Sequence, residues 1–183
     1  GKASLRGCNV FGCNNKNGSP QRDVFVDVYQ TNHIPSDEVG NQNGDFAINT
    51  VYGGGNRANY APTANSGYNL KTHNHIHACD NTVGTVYGGG RAAATDGVVT
   101  EVDGGRFEYI FGGGNGQIDP ADIGWGGIDL TVCSGHVGYK YVGCDMGGTV
   151  LGELHDNECN SGPCNEPLTV DYFFFGANKS TII

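Results

Sequence analysis

Three histidines at alternate positions, His73, His75 and His77, stand in the run from Lys71 to Cys79. Alternate side chains of an extended strand share one face. The imidazoles then line up, and a divalent metal is the chemistry that suits them. Counting from the glycine corners described below sets Glu101 beside His77 on the neighbouring strand, as a carboxylate ligand. The plainer reading of the same residues is a polar face on which His replaces Thr or Asp. Calcium is the second candidate. Asn41, Asn43 and Asp45 alternate oxygen side chains around Gly44, without the distal Glu that completes an EF-hand, and Asn115, Asp119 and Asp122 share one later loop. Acid–base chemistry would need paired carboxylates with a basic neighbour, for which Asp129, Glu101 and Arg106 are the available set. Charged residues make up only 16% of the chain, so these read first as solvated surface groups. No Ser-His-Asp or Cys-His arrangement stands out among 7 Cys and 6 His. The expectation is therefore no enzyme, no catalytic residue and no cofactor beyond a candidate Ca2+.

The cysteines speak to compartment. Seven in a glycine-rich chain favour an oxidising location, and the odd number leaves at least one unpaired or paired outside this segment. Cys159 and Cys164 flank Asn160-Ser161-Gly162-Pro163, a turn sequence that can bring the two together. A Cys159–Cys164 disulfide is the expectation.

The elements that must position these groups are marked by a recurring corner. Val51-Tyr52 precedes Gly53-Gly54-Gly55, Val86-Tyr87 precedes Gly88-Gly89-Gly90, and Ile110-Phe111 precedes Gly112-Gly113-Gly114. Looser copies begin at Gly12, Gly143 and Gly176, so the corner recurs at intervals typical of stacked supersecondary units. An apolar pair ends a strand, and the glycines then permit positive φ and a close approach to the neighbouring unit. The corner is not a nucleotide loop, because no helix pattern or GK[ST] follows it. A strand precedes each corner. Aligned on the corners and on Cys79 and Cys133, one face collects Asn74, Val98 and Ile128, then Ile76, Thr100 and Leu130, then Ala78, Val102 and Val132. That face points inward, and Val83, Phe107 and Val137 point inward from the second strand of each unit. Phe11, Tyr52, Tyr87, Phe111, Val142 and Phe175 are expected to form one column. The predicted fold is all-β, a right-handed parallel β-solenoid of about six rungs with variable loops, residues 1–183 forming a single segment. An antiparallel sandwich would also suit short strands with frequent turns, but it gives no reason to repeat one corner chemistry six times.

Acidic residues outnumber basic ones 19 to 10, which argues against nucleic acid or an anionic membrane as partner. No apolar run is long enough to span a bilayer.

The Val-Tyr-Gly-Gly-Gly-Asn repeats, with Gly-Gly or Cys-Asp-Asn turns between them, resemble the glycine-rich repeat regions of very large bacterial cell-surface and secreted proteins of the adhesin type. The resemblance covers most of residues 8–178 and implies a repeat class and an extracellular or cell-surface location, without a catalytic residue. Its functional expectation is a structural or adhesive rod or fibre module. Partners would be neighbouring copies, or continuation of the same chain, at the solenoid ends, and a glycan or host-surface ligand at loops and at Tyr60, Tyr68 and Trp125. A carbohydrate-active β-helix, lyase-like or hydrolase-like, or a glycan-binding domain is the alternative. Corner copies close to both ends of the chain carry the further expectation that residues 1–183 are part of something longer.

Overall fold

The computed structural model describes residues 7–31, 46–62, 70–157, 159 and 162–182, the side chains of 181 and 182 excepted. Among these there is no helix, and thirteen strands form two sheets in which every pairing is parallel. One sheet orders β1 (Asn9–Phe11), β3 (Ile48–Tyr52), β5 (Thr82–Tyr87), β7 (Arg106–Phe111), β9 (Gly135–Tyr141) and β12 (Leu168–Phe174). The other orders β13 (Thr181–Ile182), β10 (Thr149–Val150), β8 (Ile123–Val132), β6 (Thr95–Val102), β4 (Thr72–Ile76) and β2 (Val24–Val28), with β11 (Leu154–Asn157) also paired to β8. The chain alternates between the sheets as far as β10. No helix among the described residues is long and apolar enough to cross a membrane.

The apolar core lies between the sheets. Val83, Phe107 and Val137 form a buried column on one side, in register with Ile48 and Val170. Facing them stand Val98 with Ile128, Thr100 with Leu130, and Val102 with Val132, the β6–β8 register expected from the sequence. Strand β4 departs from that alignment by two residues. Thr72 lies opposite Val98, Asn74 opposite Thr100 and Ile76 opposite Val102. Five residues separate β4 from β5, whereas three separate β6 from β7, so counting back from the corner overshoots by the two extra turn residues. A two-residue shift preserves the faces, so the histidines still point outward.

A second cluster is an aromatic ladder. Phe11, Tyr52, Tyr87, Phe111, Tyr141 and Phe174 stack ring on ring with centroids 4.7–5.0 Å apart, matching the spacing of strands in a sheet. The last two members correct the expected column, which placed Val142 and Phe175 there. Alignment on the first glycine fails in the fifth unit because Val142 occupies the place that Gly112 holds in the fourth, and Gly113 pairs with Gly143.

The corner glycines are required by crowding, and none of residues 53–55, 88–90 and 112–114 has positive φ. A Cβ on Gly53 would lie 2.3 Å from the carbonyl oxygen of Gly88, and one on Gly88 would lie 2.0 Å from that of Gly112. Each unit leaves no room for a side chain beneath the next.

Two disulfides, Cys79–Cys164 and Cys133–Cys159, replace the expected Cys159–Cys164 pair. Residues 145–167, expected as one long loop, contain β10 and β11, and the two cysteines that follow β11 reach different turns, Cys164 the one after β4 and Cys159 the one after β8. Cys8, Cys13 and Cys144 are free. Two disulfides fit an oxidising, extracellular environment.

Candidate functional site

Titratable side chains concentrate on the outer face of the β2–β4–β6–β8–β11 sheet. Parallel register sets Phe25 beside His73, Asp27 beside His75, His75 beside Glu101, and Asp129 beside His155. His77 and Asp103 extend this face just past the ends of β4 and β6. The strands are short and β-branched or alternating, which holds each outward group at a fixed height in the stack.

The first constellation centres on two imidazoles. The rings of His75 and His77 lie 3.6 Å apart between centroids, tilted by 33°. An Asp103 carboxylate oxygen is 3.0 Å from His75 Nε2 and 3.9 Å from His77 Nδ1. Asp27 takes the opposite nitrogen of His77, Nε2, at 2.9 Å. Glu101 stands 3.8 Å from His75 Nδ1 and is largely exposed. Tyr29 stacks on His77 at 4.6 Å and Phe25 on His73 at 4.7 Å, which fixes the orientation of both rings.

The structure therefore brings together two of the four residues expected at a metal, His75 and His77. His73 is turned away, 4.0 Å from Asp23, and Glu101 lies opposite His75 and not His77 because of the β4 register. The acidic partners of the pair are Asp27 and Asp103. The alternating Val24-Phe25-Val26-Asp27-Val28 run was the signal for Asp27, since it reads as a strand with Asp on the outward face.

The second constellation lines an open cleft of about 590 Å³ bounded by Lys71, Trp125, Ile128, Asp129, Leu151, Glu153 and His155. Lys71 Nζ donates to Asp129 at 2.6 Å, His155 Nδ1 lies 2.9 Å from the other Asp129 oxygen, and His155 Nε2 is 3.2 Å from Glu153. Burial pushes the Asp129 carboxyl up, but the hydrogen bonds from Lys71 and His155 outweigh it and hold its pKa below the ordinary value. The bond to Asp129 raises His155. Trp125 projects into solvent at 79% exposure. Arg106, expected near Asp129 and Glu101, belongs to the other sheet. The paired-carboxylate set is not assembled.

The calcium candidates divide. Asn41, Asn43 and Asp45 lie outside the described residues, as does Tyr68. Asn115, Asp119 and Asp122 do not converge. Asn115 is buried and donates to Tyr87 Oη at 2.9 Å and to Asp145 at 3.2 Å, Asp122 accepts from the Thr149 amide at 2.7 Å, and Asp119 is exposed. Tyr87 also donates to Asp145, and burial drives its phenol well above the usual value. Tyr60, expected as an exposed contact, is buried and donates to the Arg22 carbonyl. No family model, curated protein or solved structure matches this chain.

Proposed function

We propose that the chain is a structural module of an extracellular rod or fibre, a right-handed parallel β-solenoid of about six rungs, of the adhesin-like repeat class its glycine corners resemble. Its outer face and loops serve to contact a glycan or host-surface ligand. The observation that carries this reading is the state of β12. Tyr172, Phe173, Phe174 and Phe175 are 44–54% exposed, whereas Tyr141, one rung further in on the same ladder, is 7% exposed. Among the described residues β12 pairs on one side only, with β9. A further rung laid on β12 would cover about 100 Å² on each of these four rings. At about 25 cal/mol per Å² this amounts to roughly 10 kcal/mol of gross stabilisation before association costs. Parallel edges of this composition recruit further strands, and β1 offers the complementary edge at the far end of the same sheet.

Sedimentation velocity of the 183-residue chain across a concentration series tests this. Self-association that Phe173→Lys abolishes supports it, and a monomer at tens of micromolar opposes it.

A second reading, a glycan-binding domain, is favoured by the cleft, where an exposed Trp125 stands beside the Lys71–Asp129–His155 cluster. Asp129 is held as a carboxylate, which suits hydrogen bonding to sugar hydroxyls better than acid catalysis. Loss of oligosaccharide binding in Trp125→Ala, with the association state unchanged, is its signature.

A further inference from the structure

We propose that His75, His77 and Asp103, backed by Asp27, form a binding site for one first-row divalent transition-metal ion of the Zn2+ class. The three donors come from positions that the sheet holds rigidly. His75 lies within β4, His77 directly follows it, and Asp103 directly follows β6, the strand paired to β4. Tetrahedral Zn2+ with bonds of about 2.0–2.1 Å requires donor atoms about 3.3 Å from one another. The distances of 3.0 Å and 3.9 Å from Asp103 to the two ring nitrogens bracket that value. The donor atoms already within 4.8 Å of one another are those of Asp27, His75 and His77, so bringing Asp103 into the set requires rotation of side chains that are 17–30% exposed.

The far nitrogens are provided for as well. Asp27 accepts from His77 Nε2 at 2.9 Å, which leaves Nδ1 free to ligate. A carboxylate on the second nitrogen is the usual support of a metal-bound imidazole, fixing its tautomer and raising its basicity. Tyr29 stacked on His77 holds the ring orientation. Two imidazoles with a carboxylate favour Zn2+, Co2+, Ni2+ or Cu2+ over Ca2+ or Mg2+, which prefer all-oxygen shells. The partial exposure of these side chains gives the ion an entry path.

The test is titration of chelator-treated protein with Zn2+ by calorimetry, and with Co2+ by its visible d–d absorption, which reports coordination geometry. The expected result is one equivalent bound, with an intense tetrahedral Co2+ band. His75→Ala, His77→Ala and Asp103→Asn each weaken Zn2+ binding by about tenfold or more, and Asp27→Asn weakens it by about tenfold, in line with supporting residues elsewhere. His73→Asn leaves affinity within about twofold, since His73 does not sit in the set. Circular dichroism confirms that each variant is folded. The proposal is overturned by no uptake at 100-fold excess of metal over protein, by uptake that survives His75→Ala and His77→Ala, or by equal weakening in His73→Asn.

Discussion

Replacing Gly88 by Ala tests why the corners are glycine. The added Cβ would sit 2.0 Å from the Gly112 carbonyl oxygen, 2.9 Å from Thr100 Oγ1 and 3.0 Å from the Gly112 carbonyl carbon. Ordinary contact begins near 3.4 Å, so relief requires the two units to part by about 1.4 Å, the difference between 3.4 and 2.0. Overpacking of this kind costs about 1–3 kcal/mol. Parting also strains the hydrogen bonds across the same gap, Gly88 N to Phe111 O at 3.0 Å and Gly89 N to Gly113 O at 3.1 Å, each worth about 1 kcal/mol net. Against this, Ala stiffens the unfolded chain and returns about 0.4–1 kcal/mol. The expected net loss is about 2–3 kcal/mol, a fall in Tm of about 4–12 °C for a chain of this length. Gly143→Ala is the control, since its Cβ would come no closer than 3.1 Å to Ala177 N. It is expected to cost less than half as much. Thermal and urea denaturation followed by circular dichroism measure both. If Gly88→Ala is as stable as the wild type, or no worse than Gly143→Ala, the crowding account of the corners is wrong.

Other consequences can be checked independently. Non-reducing peptide mapping should recover Cys79 with Cys164 and Cys133 with Cys159. On the chain-entropy account their 85- and 26-residue separations are individually worth about 4.6 and 3.5 kcal/mol, which Cys79→Ser and Cys133→Ser variants would show as lost stability. Thiol labelling of the unreduced protein at pH 8 should modify Cys8 rapidly and Cys13 and Cys144 slowly, because burial pushes the latter two thiols up to about 11. By NMR, His155 should titrate above its ordinary 6.5 and return toward it in Asp129→Asn. The pair's contribution is fully present between about 3.8 and 6.5, and is lost as pH rises through the raised His155 value or falls through the lowered Asp129 value. Lys140 is buried and ion-paired to Asp156 at 2.5 Å, so Asp156→Ala should cost about 3–5 kcal/mol by leaving an unpaired ammonium, whereas Lys140→Leu with Asp156→Leu should restore most of it.

The parallel sheets were legible because one corner recurs, and strands that share a corner share a height. The inward columns of Val83, Phe107 and Val137 and of Val98 with Ile128 followed from alternation once the strands were aligned on the corners and cysteines. Register was less legible, since it depends on turn length. The two extra residues between β4 and β5 moved every β4 partner, and Val142 in a glycine's place moved the last two rings of the ladder. The histidine face was visible in Lys71–Cys79, but its acidic partners were not. Asp27 lies 46 and 50 residues before His73 and His77, and Asp103 lies 30 and 26 residues after them, so only the pairing of β2, β4 and β6 brings them together. The disulfides were misread for a related reason. A short turn motif between Cys159 and Cys164 outweighed long-range closures that depend on where the segment between β11 and β12 lies.

Assembly through the β12 and β1 edges is tested most directly by cysteine cross-linking between copies. Continuing the parallel register of the six-stranded sheet places Asn9 of one copy opposite Tyr172 of the next, because Asn9, Thr50, Thr85, Tyr109, Tyr139 and Tyr172 share one row. In a Cys8→Ser background, mixing Asn9→Cys with Tyr172→Cys protein under mild oxidation should give a disulfide-linked dimer carrying one copy of each. A mixture that stays monomeric, or that links equally well when Tyr172→Cys is replaced by a cysteine at exposed Asp119, would contradict assembly through these edges.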